Sequence, residues 1–359
     1  MAGRRGAKKK PPHYNYRQLR EALESGGGEP DALGHYVYEM MYDIYAGIED
    51  EVLEGCVDTH NHIYPDYVPR TADVIRFAIN CSRVGYRAIV CKDHFFTNVG
   101  MCWAAQWVCE LLVRKGVLKN ACKVLGTHVL TWSYHPDQIH LIRKYPNLGG
   151  VFFPTMLGGR QGGPHLPILD DKGNLMPEVK ECIKLMADYH ICIFTGHRNY
   201  QETKAMVEYG HEVGAHLLLT HAGGRWDHRT SASGAVAQAK ELVKLGAWIE
   251  YQLDSIVGGG GLFPINDMAQ LPWWINAMGP ECIDHLVCGG DLGQPSATEP
   301  IEGARLGIRM LLHSGISMKD VKLMFQKNGA DAIYLDEIET EVYTEDPMGG
   351  PEEWLKSIK

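Results

Sequence analysis

The sequence predicts an α/β protein with a (β/α)8 fold, a TIM barrel, preceded by an N-terminal helical extension. From about residue 52, short apolar segments alternate with helical segments, which is typical of parallel strands joined by crossover helices. Eight such apolar segments are present, the number of strands in the barrel. The chain has 359 residues, and this barrel takes roughly 250, so one main domain is expected. A doubly wound open sheet is the alternative.

The first 51 residues are predicted to precede the barrel. Residues 1–12 contain five basic side chains and end in two prolines, which favours a flexible tail. Helices are expected at 16–23, before three glycines, and at 31–54, where apolar residues recur on one face. The barrel is predicted to cover residues 52–336, and a C-terminal extension follows at 337–359.

The predicted strands are short apolar runs. They cover residues 53–58, 88–91, 123–128, 150–154, 190–195, 216–220, 247–251 and 284–289. Helical segments fit between them and after the last strand, at residues 71–84, 102–115, 136–145, 177–188, 200–213, 232–245, 272–278, 299–314 and 317–329. Glycines stand where four of these helices should end, at Gly85, Gly116, Gly246 and Gly315.

Composition excludes several classes of protein. A net charge of -9 argues against nucleic acid as a partner, although the N-terminal tail is basic. No apolar run approaches the length that spans a bilayer, so no membrane partner is expected. The ten cysteines, several of them inside apolar strands, indicate a reduced cytoplasmic protein. Apolar tyrosine and methionine faces in the N-terminal segment favour a homo-oligomer.

Polar residues with metal-binding side chains stand at the ends of several predicted strands. His60 and His62 form a His-x-His motif just past the first strand, and alternate residues of an extended chain point the same way. Both imidazoles are therefore expected to reach one metal ion. His197, His221 and Asp291 follow later strands, and in a TIM barrel the carboxyl ends of the strands meet at the functional face.

These five residues, in the order His-x-His, His, His, Asp, resemble the amidohydrolase superfamily of metal-dependent hydrolases. The resemblance runs from about residue 52 to about residue 335. It implies that His60 and His62 bind the more buried metal and that Asp291 completes this site and accepts a proton from the water that the metal activates. His197 and His221 are the further implied ligands. Imidazole and carboxylate suit a divalent ion, with zinc expected first and manganese or iron as alternatives.

The fourth predicted strand departs from the superfamily pattern, which often places a bridging lysine or glutamate at its end. Residues 150–155 contain neither. Either the site holds one ion, or Lys92, at the end of the second strand, bridges two ions. A contact with a substrate anion and an ordinary ion pair are the other interpretations of Lys92.

The resulting functional hypothesis is hydrolysis of an amide, lactone or related C–N or C–O bond in a small molecule. Asp291, His221 and Lys92 are the predicted catalytic residues. His94, Arg198 and Tyr64 are the predicted substrate contacts, and an ordinary loop salt bridge or packing contact is the competing interpretation for each. The alternatives are a metal-dependent non-oxidative decarboxylase or hydratase of the same superfamily, a phosphoesterase, and an inactive barrel that serves as a scaffold.

Overall fold

The structure, a computed structural model, describes residues 47–156, 165–221, 232–254, 270–295, 297–338 and 340. Eight parallel strands form one sheet in the order β1 to β8. Their bounds are β1 Val57–His62, β2 Ala88–Lys92, β3 Lys123–Val129, β4 Leu148–Phe152, β5 Ile193–Phe194, β6 Leu217–Leu219, β7 Trp248–Gln252 and β8 Leu286–Gly289.

Backbone hydrogen bonds join the first strand to the segment that follows the last. The Asp291 amide donates to the His60 carbonyl at 2.7 Å, and the His62 amide donates to the Leu292 carbonyl at 2.9 Å. An open sheet would leave these edges apart, so the predicted TIM barrel is confirmed and the open-sheet alternative is wrong.

Helices alternate with the strands along the chain. Their bounds are α1 Asp50–Leu53, α2 Val74–Val84, α3 Val99–Arg114, α4 Pro136–Ile142, α5 Pro177–Asp188, α6 Tyr200–Val213, α7 Ala232–Val243, α8 Gln270–Met278, α9 Pro300–His313, α10 Met318–Lys322 and α11 Asn328–Ala332. Short 3-10 helices cover Pro280–His285 and Leu335–Glu337, and one π-helical turn covers Leu323–Lys327. That turn interrupts the helix predicted at 317–329.

The first predicted strand, at 53–58, begins too early. Val52 and Leu53 are buried, but they belong to the short helix α1, and Gly55 leaves that helix with a φ of +92°. An apolar run of this length does not distinguish a buried helix from a strand. As a consequence, His60 and His62 lie inside β1 rather than just past it. The helix predicted at 16–23, and most of that predicted at 31–54, fall outside the described residues.

The apolar core has two layers. One fills the space between the sheet and the surrounding helices, and the other fills the barrel itself. Ile333 and Leu335, just after α11, are buried in this inner layer. The Lys123 ammonium, at the start of β3, donates to the carbonyls of Leu335 at 3.1 Å and Ile338 at 2.8 Å. Residues 333–338 therefore close the amino-terminal end of the barrel, which leaves the opposite end for a site.

Helix α6 shows how local sequence fixes an element next to the site. Asn199 Oδ1 accepts from the Glu202 amide at 3.0 Å, and Glu202 Oε2 accepts from the Asn199 amide at 3.3 Å. This reciprocal capping box satisfies two amides that have no partner within the helix. It explains why the predicted bounds of α6 are confirmed, and it anchors the loop that carries His197.

No helix in the described part of the chain combines the length and the apolar character needed to cross a bilayer. All ten cysteines lie among the described residues, and each is buried with a free thiol. All ten pack within the two apolar layers.

Candidate metal centre

His60 and His62 project from the end of β1 toward one carboxylate. Both side chains are buried. His60 Nε2 lies 3.3 Å from Asp291 Oδ1, and His62 Nε2 lies 2.9 Å from the same oxygen. Alternation along the strand gives the two rings this shared direction, as the motif predicts. The two imidazoles and the carboxylate offer ligand atoms that all lie within 4.8 Å of one another.

Asp291 is held in place by the loop that leaves β8. Asp58 Oδ1 accepts from the Gly290 amide at 2.9 Å and from the His60 amide at 3.1 Å, which ties this loop to β1. Burial raises the pKa of Asp58 to about 6. Asp291 itself has a φ of +48°, a left-handed conformation that is uncommon for a residue other than glycine and costs about 1 kcal/mol or more. Strain of this kind is typical of functional positions.

His221 approaches the same carboxylate from β6. Its Nε2 lies 3.4 Å from Asp291 Oδ2, and its backbone is also left-handed, with a φ of +57°. Burial tends to raise the pKa of Asp291, but His60, His221 and His62 outweigh it and hold that pKa well below its usual range. Burial and the neighbouring His94 hold the pKa of His62 well below its usual range. The donor set at neutral pH therefore contains an ionised carboxylate and a neutral imidazole.

Glu250, on β7, fixes the orientation of His60. Its Oε2 lies 3.0 Å from His60 Nδ1 and accepts from Gln252 Nε2 at 3.0 Å, while its Oε1 accepts from Thr59 Oγ1 at 2.7 Å. Because a carboxylate accepts hydrogen bonds, Nδ1 carries the proton and donates a hydrogen bond to Glu250.

This arrangement tests whether a cation fits. With its proton on Nδ1, His60 turns the lone pair of Nε2 toward Asp291 Oδ1 at 3.3 Å. Nε2 is buried and has no hydrogen-bond partner among the described residues. Two electron-rich atoms facing each other in a dry site repel, whereas a divalent ion between them would bind both. The residues present therefore fit a metal ion.

A second group lies on the other face of His62. Asp66 Oδ2 lies 3.9 Å from His62 Nδ1 and 3.9 Å from His94 Nδ1, and it accepts from Arg70 Nε at 2.7 Å. The His94 ring stacks on the His62 ring at 4.5 Å between centroids. Asp66 is not among the residues predicted from the sequence, although it lies four residues from both His62 and Arg70.

Lys92 lies at the end of β2, beside His62 in the strand register. Its side chain is only 1% exposed, and its Nζ lies 4.9 Å from the centroid of the Phe152 ring inside the barrel. Burial lowers the pKa of Lys92 to about 8, against the opposing effect of Asp291 and Glu250. Whether Lys92 bridges ions or contacts substrate stays a prediction.

His197 lies beside the centre, but it does not belong to the group formed by His60, His62 and Asp291. It is buried, and its ring centroid lies 4.8 Å from that of His221. Gly196, just before it, has a φ of +64°, and a Cβ there would lie 2.2 Å from the Phe153 carbonyl oxygen. Only glycine fits this turn. Metal binding by His197 stays a prediction, as do the proposed ligand roles of His60, His62, His221 and Asp291.

The remaining predicted contacts occupy different surroundings. Arg198 is buried, where it donates to the Leu166 carbonyl at 2.8 Å, to the Tyr134 hydroxyl at 2.8 Å and to Glu202 at 3.3 Å. These bonds fasten the loop after β5, so Arg198 has a structural partner for most of its donors. Tyr64 is 55% exposed in the loop after β1. Substrate contact by Arg198, Tyr64 or His94 stays a prediction.

Solved structures with a similar fold share little sequence with the chain. A probable 2-pyrone-4,6-dicarboxylic acid hydrolase from Acinetobacter baumannii, with citric acid bound, is 13% identical, with a TM-score of 0.50 over 78% of this chain and 99% of that chain. An amidohydrolase from Pseudomonas aeruginosa is 10% identical, with a TM-score of 0.50 over 82% of this chain and 99% of that chain. A lactonase used as the template for engineered organophosphate hydrolysis is 15% identical, with a TM-score of 0.50, covering 78% and 95%.

These likenesses confirm the predicted resemblance to amidohydrolases at the level of the fold. No curated protein matches the sequence. A family profile matches residues 55–250, a segment that contains His60, His62 and His221 but ends before Asp291. Since the match spans more than half of the sequence, the chain belongs to the family described as "Family of unknown function (DUF6282)".

Proposed function

We propose that the protein is a metal-dependent hydrolase that cleaves an amide, lactone or related C–N or C–O bond in a small molecule. The observation that carries this proposal is the approach of His60 Nε2 and His62 Nε2 to Asp291 Oδ1, at 3.3 and 2.9 Å, with the proton of His60 directed away toward Glu250. Sites of imidazole nitrogen and carboxylate oxygen are the usual environment of catalytic zinc.

His60, His62 and Asp291 would hold the ion. A divalent ion in such a site supplies Lewis acidity, which acidifies water and polarises a substrate carbonyl. Asp291 is the proposed general base, because its Oδ1 faces the imidazoles of His60 and His62 while its Oδ2 lies 3.4 Å from His221, so its second oxygen can accept a proton. It accepts the proton of the attacking water and returns it to the leaving group, and His221 donates a hydrogen bond to the substrate.

The fold comparisons support hydrolysis as a reaction that this barrel accommodates. The structures with similar folds are named as a probable hydrolase, an amidohydrolase and a lactonase. Function in a TIM barrel depends on the loops at the carboxyl ends of the strands, and the residues of the candidate centre lie at those ends.

A second candidate is a metal-dependent decarboxylase or hydratase. The observation that favours it is the end of β4, where Phe153, Pro154 and Thr155 offer no lysine or carboxylate to bridge two ions. A centre with one ion suits either reaction, so the products must decide between them.

The test begins with metal-free protein that is reconstituted with Zn²⁺, Mn²⁺ or Fe²⁺ and then incubated with lactones, amides and aromatic acids. Hydrolysis is expected with at least one metal, and it is recognised by cleavage of the C–N or C–O bond together with incorporation of ¹⁸O from labelled water. Uptake of ¹⁸O without cleavage would indicate a hydratase. Release of CO2 without hydrolysis would replace the proposal with the lyase. Protein that binds none of the three metals would contradict both.

A further inference from the structure

Lys92 places a positive charge inside the mouth of the barrel. Its side chain forms no ion pair or hydrogen bond with any described residue, and it is 1% exposed. A buried ammonium without a bonded partner is costly. Asp291 and Glu250 attract the ammonium only at a distance. A metal ion bound to Asp291 would cancel the attraction of that carboxylate. A ligand anion would supply the missing partner.

Arg70 brings a second cation to the same end of the barrel. Its side chain is only 4% exposed, and its Nε is bonded to Asp66. Its Nη2 lies 3.5 Å from His94 Nδ1, and neither terminal nitrogen forms an ion pair with a carboxylate in the described part of the chain. A guanidinium that is paired only through Nε keeps donors for a second anion. With a divalent ion bound at Asp291, the charges of that ion, Arg70 and Lys92 would together outweigh those of Asp66, Asp291 and Glu250.

A series of ring contacts leads from the candidate centre to the surface. The His62 ring stacks on His94, the His94 ring meets Tyr67 edge-on at 5.5 Å, and Tyr67 meets Phe95 at 4.9 Å. Phe95 stacks on Trp132 at 6.3 Å, and Trp132 is 69% exposed. Exposed aromatic rings that continue from a buried polar site are typical of a surface that receives a ligand.

We propose that Lys92 and Arg70 form an anion subsite beside the metal centre, and that the substrate is an aromatic carboxylate. Its carboxylate lies between the two cations, and its ring lies against the series of aromatic side chains. This inference names the substrate class of the proposed hydrolase and rests on that function, but the subsite itself can be tested without turnover.

The experiment measures binding by calorimetry with three probes: benzoate, acetate, which has the charge without the ring, and benzyl alcohol, which has the ring without the charge. Each probe is titrated into zinc-free and zinc-loaded protein, and zinc content is measured separately. Benzoate is expected to bind more tightly than either other probe. Lys92→Met and Arg70→Met should each weaken benzoate by about tenfold or more, as expected for the loss of a charge-assisted hydrogen bond.

Matched variants at exposed positions, Lys119→Met and Arg76→Met, should leave benzoate affinity unchanged. Trp132→Leu, at an exposed position that tolerates substitution, should weaken benzoate and not acetate. It keeps the proposal testable if Arg70→Met does not fold.

Three outcomes would overturn the subsite: no benzoate binding, equal binding by Lys92→Met and wild type, or binding that requires zinc but neither cation. Equal affinities for benzoate and acetate would overturn the aromatic assignment. Benzoate binding that depends on Lys92 and Arg70 in a protein that holds none of Zn²⁺, Mn²⁺ and Fe²⁺ would uphold the subsite while contradicting the proposed function.

Discussion

The two histidines of β1 have very different surroundings. On the Glu250 side, His60 has a carboxylate 3.0 Å from Nδ1, and that carboxylate is itself held by Thr59 and Gln252. On the Asp66 side, His62 Nδ1 forms no hydrogen bond within the described residues, and the nearest carboxylate oxygen is Asp66 Oδ2 at 3.9 Å.

This difference indicates that His60 is fixed by a hydrogen bond, whereas His62 keeps a ring nitrogen for what enters the site. The Glu250 carboxylate is fully buried, and its hydrogen bonds to described residues lie inside the barrel, where water does not compete for them. Asp66 instead joins Arg70 and His94, whose side chains lead toward exposed aromatic rings. We infer that the Glu250 side preorganises the centre and that the Asp66 side meets the substrate.

The largest effect is expected from Asp291→Asn, since this carboxylate faces both histidines. Turnover should fall by about 10³-fold or more, because the amide neither accepts the proton nor balances a cation. The folded state should persist, which circular dichroism would show. Asp284→Asn, at an exposed position, is the matched control. Turnover that survives in Asp291→Asn would remove this residue from the role of base.

Lys92→Met tests how the buried charge of Lys92, which lies beside His62, affects the stability of the folded protein. Burial lowers the pKa of Lys92 from 10.5 to about 8, so the charged side chain destabilises the folded state by about 3 kcal/mol at pH 7. The variant should gain that stability in urea unfolding of the metal-free protein. Between pH 8 and 10.5 the unfolded chain binds more protons than the folded one, so wild-type stability rises with pH.

The advantage of Lys92→Met should therefore be full below pH 8 and disappear as the pH approaches 10.5. Catalysis is expected to be lost in the same variant, a trade of activity for stability. Equal stability of the two proteins at pH 7, or an advantage that grows with pH, would show that the ammonium already has a partner.

Matched carboxylate-to-amide substitutions at Glu250 and Asp66 compare how much each carboxylate contributes to zinc affinity. Glu250→Gln should lower zinc affinity by about 10- to 100-fold, the usual effect of losing the carboxylate behind a metal-binding histidine. Asp66→Asn should lower it by less than about tenfold, since no hydrogen bond joins Asp66 to His62. Competition with a chelator measures both affinities. The reverse order would mean that the two sides have exchanged roles.

Local signals in the sequence predict much of this molecule. Helices α5 and α6 have the predicted bounds, since proline at position 177 and the capping box at Asn199 mark their starts. His60 and His62 were identified because alternation along a strand is a local property. The sequence predicts Asp291 because this polar residue stands at the end of an apolar run.

The support around these ligands could not be predicted in the same way. Glu250 reaches His60 across 190 positions of sequence, and this pairing depends on closure of the barrel between β1 and β8. Asp66 lies in an irregular loop whose path depends on contacts rather than on periodicity. The predicted start of β1 is wrong because Val52 and Leu53 are buried equally well in a helical turn.

Anomalous diffraction at the zinc edge, from crystals grown with Zn²⁺, tests the metal centre most directly. We expect an anomalous peak between His60 Nε2, His62 Nε2 and Asp291. A peak confined to other residues, or none at this position with zinc present in excess, would contradict the proposed metal centre.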